Sequence, residues 1–163
     1  MATGTGTIKL TLILALVAFL VSCRQNITFT GQVNFGPEGW SKNAPARFTT
    51  EITDTTSASS VKIILRTGSD YPFRNIYLFV TTHAPGGFTM TDTLEYMIAD
   101  AKGNRYGKGT GDIRELRLNY RTNVFFPASG LFVFEIEQAM RTEPLKGVYD
   151  IGLRIERESG NKR

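Results

Sequence analysis

Apolar and polar residues alternate along most of this chain, between short clusters of glycine, proline and polar residues. The alternation is cleanest near the C-terminus, where Tyr149, Ile151, Leu153 and Ile155 share one predicted inward face. Successive side chains of a strand point to opposite faces, so a period of two is typical of a strand with one buried face. A helical period competes only in a single turn at 138–141. The sequence therefore predicts an all-β protein.

About nine strands can be placed, and turns join them. They are predicted at 27–35, 47–52, 61–67, 76–80, 88–99, 113–120, 124–127, 131–138 and 148–157. The run 76–80 is apolar on both faces, as in a central strand that is covered on two sides, and Pro127 indicates an edge strand. The pattern favours one antiparallel β-sandwich, jelly-roll-like, over residues 27–157, followed by a polar, frayed tail at 158–163.

Asp92 interrupts an otherwise apolar face. In the strand predicted at 88–99, the even positions from Phe88 to Ile98 point inward, and Asp92 lies among them. An unpaired carboxylate in a core costs several kcal/mol. Two alternatives follow: a bulge turns Asp92 outward, or Asp92 is buried together with polar partners.

An apolar run at 10–23 stops at Cys23, which is the only cysteine. A helix that spans a bilayer needs about 20 apolar residues, and this run is shorter. Because Lys9 precedes it as a thin positive segment, the run is typical of a secretory signal peptide rather than of a membrane span. We therefore predict a signal peptide at 1–22.

The end of this signal, Leu20-Val21-Ser22-Cys23, resembles the bacterial lipobox. The resemblance implies cleavage before Cys23 and a covalent diacylglycerol and N-acyl lipid on that residue, with 23–26 as a short tether. Two alternatives stay open: an ordinary signal peptide with an incidental cysteine, and an uncleaved anchor. No other cofactor is expected.

Charge and cysteine content exclude several classes of protein. The formal net charge of +4 falls to +3 if Lys9 leaves with the signal, and so small and evenly spread an excess does not predict nucleic-acid binding. With Cys23 acylated, no second cysteine remains to form a disulfide. The domain must therefore be held together by its core.

The sequence offers few residues that could support catalysis. His83 is the only histidine, so neither a paired-histidine zinc site nor a Ser-His-Asp triad is expected, and no metal is predicted. Glu135 and Glu137 would share one face of a strand at roughly 7 Å, as in glycosidase carboxylate pairs. The alternative that we favour is an ordinary charged face exposed to solvent. A small hydrolase is therefore one of three functional hypotheses, beside a protein-binding envelope lipoprotein and a carbohydrate-binding module.

The glycine-rich segment 103–111 is a poor match to a phosphate-binding loop. Its spacing is wrong, no Ser or Thr directly follows Lys108, and no helix follows. Its glycines are better explained as residues that permit positive φ at the tip of a hairpin. Lys102, Arg105, Tyr106 and Lys108 then form a candidate partner-binding loop, with a purely structural turn as the alternative.

Trp40, Tyr71 and Tyr106 all lie beside turn residues. If they cluster at one end of the sandwich, they form a candidate aromatic surface, and the protein could be a carbohydrate-binding module. The favoured alternative is that Trp40 covers the end of the core.

Seven stretches occur in an order that carries a family resemblance. They are 39–40, 52–55, 70–80, 91–96, 99–113, 138–141 and 147–156. Together with the lipobox, they resemble the gliding-motility lipoprotein family GldH of Bacteroidetes. The resemblance implies a non-enzymatic lipoprotein of the cell envelope that works with other envelope proteins of gliding motility and the linked type IX secretion machinery. It supplies no catalytic residues.

The residues after Cys23 bear on which side of the membrane the domain faces. Exposed lipoproteins of that phylum usually carry acidic residues there, whereas this chain has Arg24-Gln25-Asn26 and no acid before Glu38. The expected location is the outer membrane, with the domain facing the periplasm.

Replacing Cys23 tests the lipid anchor. Cys23→Ala is expected to accumulate as an unprocessed precursor that no longer incorporates palmitate, because the acyl-accepting thiol is gone. Metabolic labelling and mass spectrometry of the purified protein measure both effects. Efficient labelling of the variant would contradict the prediction.

Overall fold

The computed structural model describes residues 26–162. The predicted signal peptide 1–22, with Leu20, Val21 and Ser22, and the predicted lipid site Cys23 lie outside the described residues. Eight strands are present in the described part: β1 Ile27–Asn34, β2 Ala46–Ile52, β3 Ser57–Thr67, β4 Asn75–His83, β5 Thr89–Met97, β6 Arg114–Val124, β7 Gly130–Gln138 and β8 Val148–Lys162. A single turn of 3-10 helix, Pro85–Gly87, precedes β5.

The strands form two antiparallel four-stranded sheets. Their orders are β1-β8-β3-β6 and β2-β7-β4-β5, so the prediction of an all-β antiparallel fold in a single domain is confirmed, with eight strands in place of about nine. We call these the β8 sheet and the β7 sheet. Their inner faces supply the core, and each fully buried Leu, Ile or Phe side chain contributes about 1.5–3 kcal/mol.

Three strand boundaries differ from the prediction. The short strand predicted at 124–127 is wrong: β6 ends at Val124, and Phe126 packs edge-on against Phe132 at 5.1 Å in the core. The second difference is in β3, which begins at Ser57 rather than at the predicted residue 61. The backbone of Ser57 pairs with Lys162, so β8 also continues past the predicted end at 157.

Four apolar residues predicted to face inward are exposed instead. Phe88 is 60% exposed because it lies in the turn before β5 and not in the strand. Tyr149 is 44% exposed because Thr67 pairs with Val148 and Arg66 with Asp150, which leaves Tyr149 as the extra residue of a bulge. On β4, Tyr77 and Phe79 are 38% and 41% exposed, so only one face of this central strand is covered.

Antiparallel pairing sends every connection to one of two ends of the sandwich. The proximal end holds Asn26, the turns at 53–56, 84–88 and 125–129, and the C-terminal part of β8. The distal end holds the longer loops at 35–45, 68–74, 98–113 and 139–147. No helix within residues 26–162 has the length and apolar character that a membrane crossing requires.

An ion pair on the outer face of the β8 sheet predicts how stability depends on pH. Lys62 Nζ donates to Glu156 Oε2 at 2.6 Å, and this hydrogen bond is the main reason why the pKa of Glu156 is lowered. A lowered carboxyl pKa adds stability above the ordinary pKa of glutamate, about 4.3, and that stability is lost as the pH falls through the folded pKa.

Glu156→Gln is therefore expected to reduce the free energy of unfolding at neutral pH by about 0.5–1 kcal/mol. The difference from the parent protein should shrink between about pH 4.3 and pH 3, as measured by urea denaturation. Glu51→Gln removes an exposed carboxylate from the other sheet and is the matched control. A difference that stays constant down to pH 3 would refute the assignment.

Candidate functional site

The four residues of the predicted partner-binding loop lie together in the distal connection between β5 and β6. Tyr106 is 47% exposed, and Lys102 and Lys108 are also exposed, whereas Arg105 is half-buried. Three of the four side chains are thus available at the surface, in a loop that the sandwich holds at one end.

Asp100 shapes the first half of this loop. Its carboxylate accepts hydrogen bonds from the backbone N–H groups of Lys102 and Asn104, both at 2.8 Å, and from Asn104 Nδ2 at 2.7 Å. The side chain of Asn104 contributes most to lowering the pKa of Asp100. This local network fixes the backbone at Lys102 in one conformation, with the ammonium outside it.

Arg105 has a structural role that its sequence position did not reveal. Its Nη2 donates to the backbone carbonyls of Thr67 at 3.2 Å and Asp112 at 2.6 Å. The guanidinium therefore joins two loop segments to the end of β3. Nη2 of Arg105 is therefore already engaged within the chain, and a direct contact of Arg105 with a partner stays a prediction.

Glycines give this loop backbone conformations that other residues rarely adopt. Gly103, Gly107 and Gly111 have positive φ, as the sequence predicts for a hairpin tip. At Gly107 a Cβ atom would overlap the carbonyl of Glu115. That close approach lets Lys108 and Glu115 exchange two backbone hydrogen bonds, at 2.9 Å and 2.7 Å.

An open cleft of about 620 Å³ separates this loop from the outer face of the β8 sheet. Its lining includes the side chains of Arg66, Lys108, Ile113, Glu115 and Arg117. The cleft is cationic, since three of its charged groups are basic and one is acidic. Its sequence signal was the outward position of Arg66 and Arg117 on two neighbouring strands.

The cations of the cleft differ in how they are paired. Arg66 Nε donates to buried Asp150 at 2.7 Å, and Arg117 Nε donates to Glu115 at 3.1 Å. Within residues 26–162, Lys108 takes part in no ion pair. Lys108 is therefore the cation of this cleft that is best placed to bind an acidic group from outside.

The predicted aromatic surface is wrong. Trp40 is fully buried, stacks on Phe35 with ring centroids 4.6 Å apart, and donates its indole N–H to the carbonyl of Ala44. Tyr71 is buried as well, and its hydroxyl donates to the carbonyl of Asn75. Tyr106 alone of the three stays exposed, and the alternative that Trp40 covers the end of the core is confirmed.

Exposed aromatic residues occur instead on the outer face of β4, where sequence reasoning did not place them. Tyr77 and Phe79 point away from the core. Tyr77 donates to Glu95, which raises the pKa of Tyr77, and Asn75 Nδ2 donates to the same carboxylate at 2.7 Å. In the sequence, the run 76–80 is apolar on both faces, and this pattern alone does not tell whether a second layer covers the face with Tyr77 and Phe79.

Asp92 is held by partners on the inner side of β5. It accepts hydrogen bonds from Tyr120 Oη at 2.6 Å and from Arg121 Nη2 at 2.7 Å. The β4–β5 register is unbroken at this point, so the bulge is excluded, and Asp92 keeps its inward position with polar partners, half-buried rather than buried. The Asp92 network closes the gap between the edge strands of the two sheets.

Glu135, one member of the carboxylate pair considered for hydrolysis, is engaged with basic side chains. Glu135 pairs with Arg47 at 2.9 Å and faces His83 Nε2 at 3.3 Å, and His83 also contacts Thr89 Oγ1 at 3.1 Å. Glu135 and Glu137 lie on the outer face of β7, on an open sheet. In the described part of the chain, no three His, Cys, Asp or Glu side chains are grouped so as to hold a metal ion.

Comparison with known proteins gives consistent matches. A family model described as GldH lipoprotein matches residues 28–155. The gliding motility lipoprotein GldH of Flavobacterium johnsoniae is 36% identical over 154 residues, covering 90% of this chain and 95% of that protein. The GldH homolog of Christiangramia forsetii is 34% identical over 125 residues, covering 72% and 77% respectively.

Solved structures show only distant likeness. The VP2 subviral particle of infectious bursal disease virus aligns with a TM-score of 0.33 and 15% identity, over 86% of this chain and 35% of the viral chain. The Gt strain of that virus gives 0.34 and 16% over the same shares.

Removing the Arg105 guanidinium is expected to loosen the loop without unfolding the sandwich. In Arg105→Gln, the backbone amides of Tyr106 and Lys108 should exchange with solvent at least about tenfold faster, because two loop segments lose their common donor. The melting temperature should fall by only a few degrees. Hydrogen exchange of the purified protein measures this, with Arg74→Gln as control, and unchanged exchange at both amides would contradict it.

Proposed function

We propose a function from one premise: the chain belongs to the GldH lipoprotein family. It is a gliding-motility lipoprotein, anchored to a membrane of the cell envelope. The finer role that we propose is non-enzymatic. The protein binds other envelope proteins of the motility apparatus and of the type IX secretion machinery linked to it, and so acts as a structural component.

One observation carries this proposal, namely the fixed loop at the distal end. Asp100 and Arg105 hold its backbone, and the side chains of Lys102, Tyr106 and Lys108 are left exposed. A loop that is ordered before binding loses little conformational entropy when a partner docks. Loops on a rigid sandwich are also the usual carriers of binding residues.

The position of this loop suits a partner away from the lipid. The strands β1 and β3, of eight and eleven residues, run between the two ends. At about 3.3 Å per residue, the distal loops stand roughly 25–35 Å from the proximal end. Because Asn26 lies at the proximal end, an anchor on Cys23 would leave the loop facing outward from the bilayer.

The charge of the cleft indicates the kind of partner. Lys108 has no ion-pair partner within residues 26–162, and Lys102 lies on the same loop. Charges at the rim of an interface mainly steer encounter and select partners. We therefore expect a partner that presents acidic side chains to this loop.

The membrane and its side complete the proposal. We assign the lipid to Cys23 from the lipobox Leu20-Val21-Ser22-Cys23. We place the protein in the outer membrane with its domain facing the periplasm, which the absence of acidic residues between Cys23 and Glu38 supports.

Site-specific crosslinking tests the role of the loop. A photo-reactive phenylalanine analogue replaces Tyr106 in cells that express the lipidated protein, and crosslinked envelope proteins are identified by mass spectrometry. Lys108→Glu in the same background should lower the crosslinked yield about three- to tenfold, because it repels an acidic partner. Thermal unfolding of the variant verifies that the domain is intact.

Lys146→Glu is the matched control, since it makes the same change of charge at another exposed position of the distal end, and its crosslinked yield should equal that of the parent. Failure of Tyr106 to capture any envelope protein, or equal losses in both variants, would contradict a binding role for this loop.

A further inference from the structure

We propose that the proximal end of the sandwich rests on the membrane surface, with Phe88 and Leu131 inserted among the lipid acyl chains. The ligand is the bilayer that carries the anchor. This inference rests on the membrane anchoring stated under Proposed function, and it adds that the domain itself contacts lipid.

The first observation is the exposure of two apolar side chains. Phe88 is 60% exposed and Leu131 is 63% exposed, the two largest values among the large apolar residues of the described chain. Both lie at the proximal end: Phe88 is the residue before β5, and Leu131 is the second residue of β7. Side chains of this kind are costly in water and favourable at the boundary between headgroups and acyl chains.

The two segments that carry these side chains are held against each other. The turn Pro85–Gly87 packs on Gly130, where a Cβ atom would lie 2.9 Å from the Pro85 side chain. The N–H of Ala84 donates to the carbonyl of Phe88 at 2.8 Å, which closes the turn. Phe88 and Leu131 are thus parts of one firm rim rather than of two independent loops.

The second observation is an apolar pocket behind this rim. It has a volume of about 180 Å³ and lies between the sheets at the proximal end, with a lining that includes Val61, Phe88, Met90, Val124, Phe126 and Phe132. An apolar cavity of about 150 Å³ is large enough to bind benzene. The pocket can therefore take part of an acyl chain, or Phe88 can fold into it where no lipid is present.

The third observation is the short distance from the fold to the anchor. The N–H of Arg157 donates to the carbonyl of Asn26 at 2.8 Å, so the chain is fixed at the proximal end up to that residue. Two residues lie between Cys23 and Asn26, and the three Cα-to-Cα steps that join them span at most about 11 Å. A lipid on Cys23 would hold this end of the sandwich, and no other, against the headgroups.

Charges at the proximal end permit such contact. Asp54 pairs with Arg157 at 2.9 Å, and Asp92 pairs with Arg121 at 2.7 Å, so neither carboxylate would be brought to the bilayer without its counter-charge. Glu51 lies opposite Leu131 in the β2–β7 pair and is exposed. Insertion is therefore limited to the side chains of the rim, with Glu51 at the level of the headgroups.

Fluorescence quenching by lipids tests the proposal on the full, lipidated chain. Cys23 is the only cysteine and carries the lipid in this proposal, so a cysteine introduced elsewhere becomes the one free thiol. Phe88→Cys and Leu131→Cys each receive a bimane label, and Lys146→Cys is the distal control. The proteins are reconstituted into vesicles of phosphatidylethanolamine and phosphatidylglycerol that contain a doxyl-labelled phospholipid.

The labels at 88 and 131 are expected to lose about half or more of their fluorescence to the quencher, whereas the label at 146 should lose almost none. Flotation of the same samples reports anchoring separately. Protein that floats with vesicles while its labels at 88 and 131 stay unquenched would overturn the docking of this end and leave the anchor intact. Protein that does not float at all would overturn both.

Discussion

Antiparallel pairing of all eight described strands is the constraint on which the rest of this structure depends. It divides the connections of the domain between two ends, with the N-terminal strand starting at one of them. The short turns stay near Asn26, and the long loops collect at the opposite end. The separation of these two ends thus follows from strand order, and the lipid contact and the partner contact that we propose fall at opposite ends.

Periodicity in the sequence predicted the strands well where one buried face decides their pattern. Ile151, Leu153 and Ile155 of β8 are buried as expected. Tyr149 belongs to the same alternation and is exposed, because a bulge opposite β3 shifts the register by one residue. Register depends on the partner strand, and a single sequence does not contain that partner's alignment.

The candidate site, too, could be predicted from the sequence only in part. Glycine and charge patterns indicated the glycine-rich loop around 103–111 and its lysines, Lys102 and Lys108. They could not tell a guanidinium that binds a partner from one that binds its own backbone, as Arg105 does. Trp40 and Tyr77 show the same limit. Trp40 lies beside a turn and is nevertheless fully buried, whereas Tyr77 lies in an apolar run and is nevertheless exposed. Burial of an aromatic side chain is a property of what lies across from it.

The position of β1 has a mechanical consequence. This strand is the first of the described chain, begins four residues after the predicted lipid site Cys23, and pairs with β8 at the edge of its sheet. A pull between the bilayer and a partner held at the far loops runs along the strand axis, whereas the hydrogen bonds of the ladder lie across it. Such a load would act on all the hydrogen bonds of the β1–β8 ladder together, in shear, and would not break them one after another from one end.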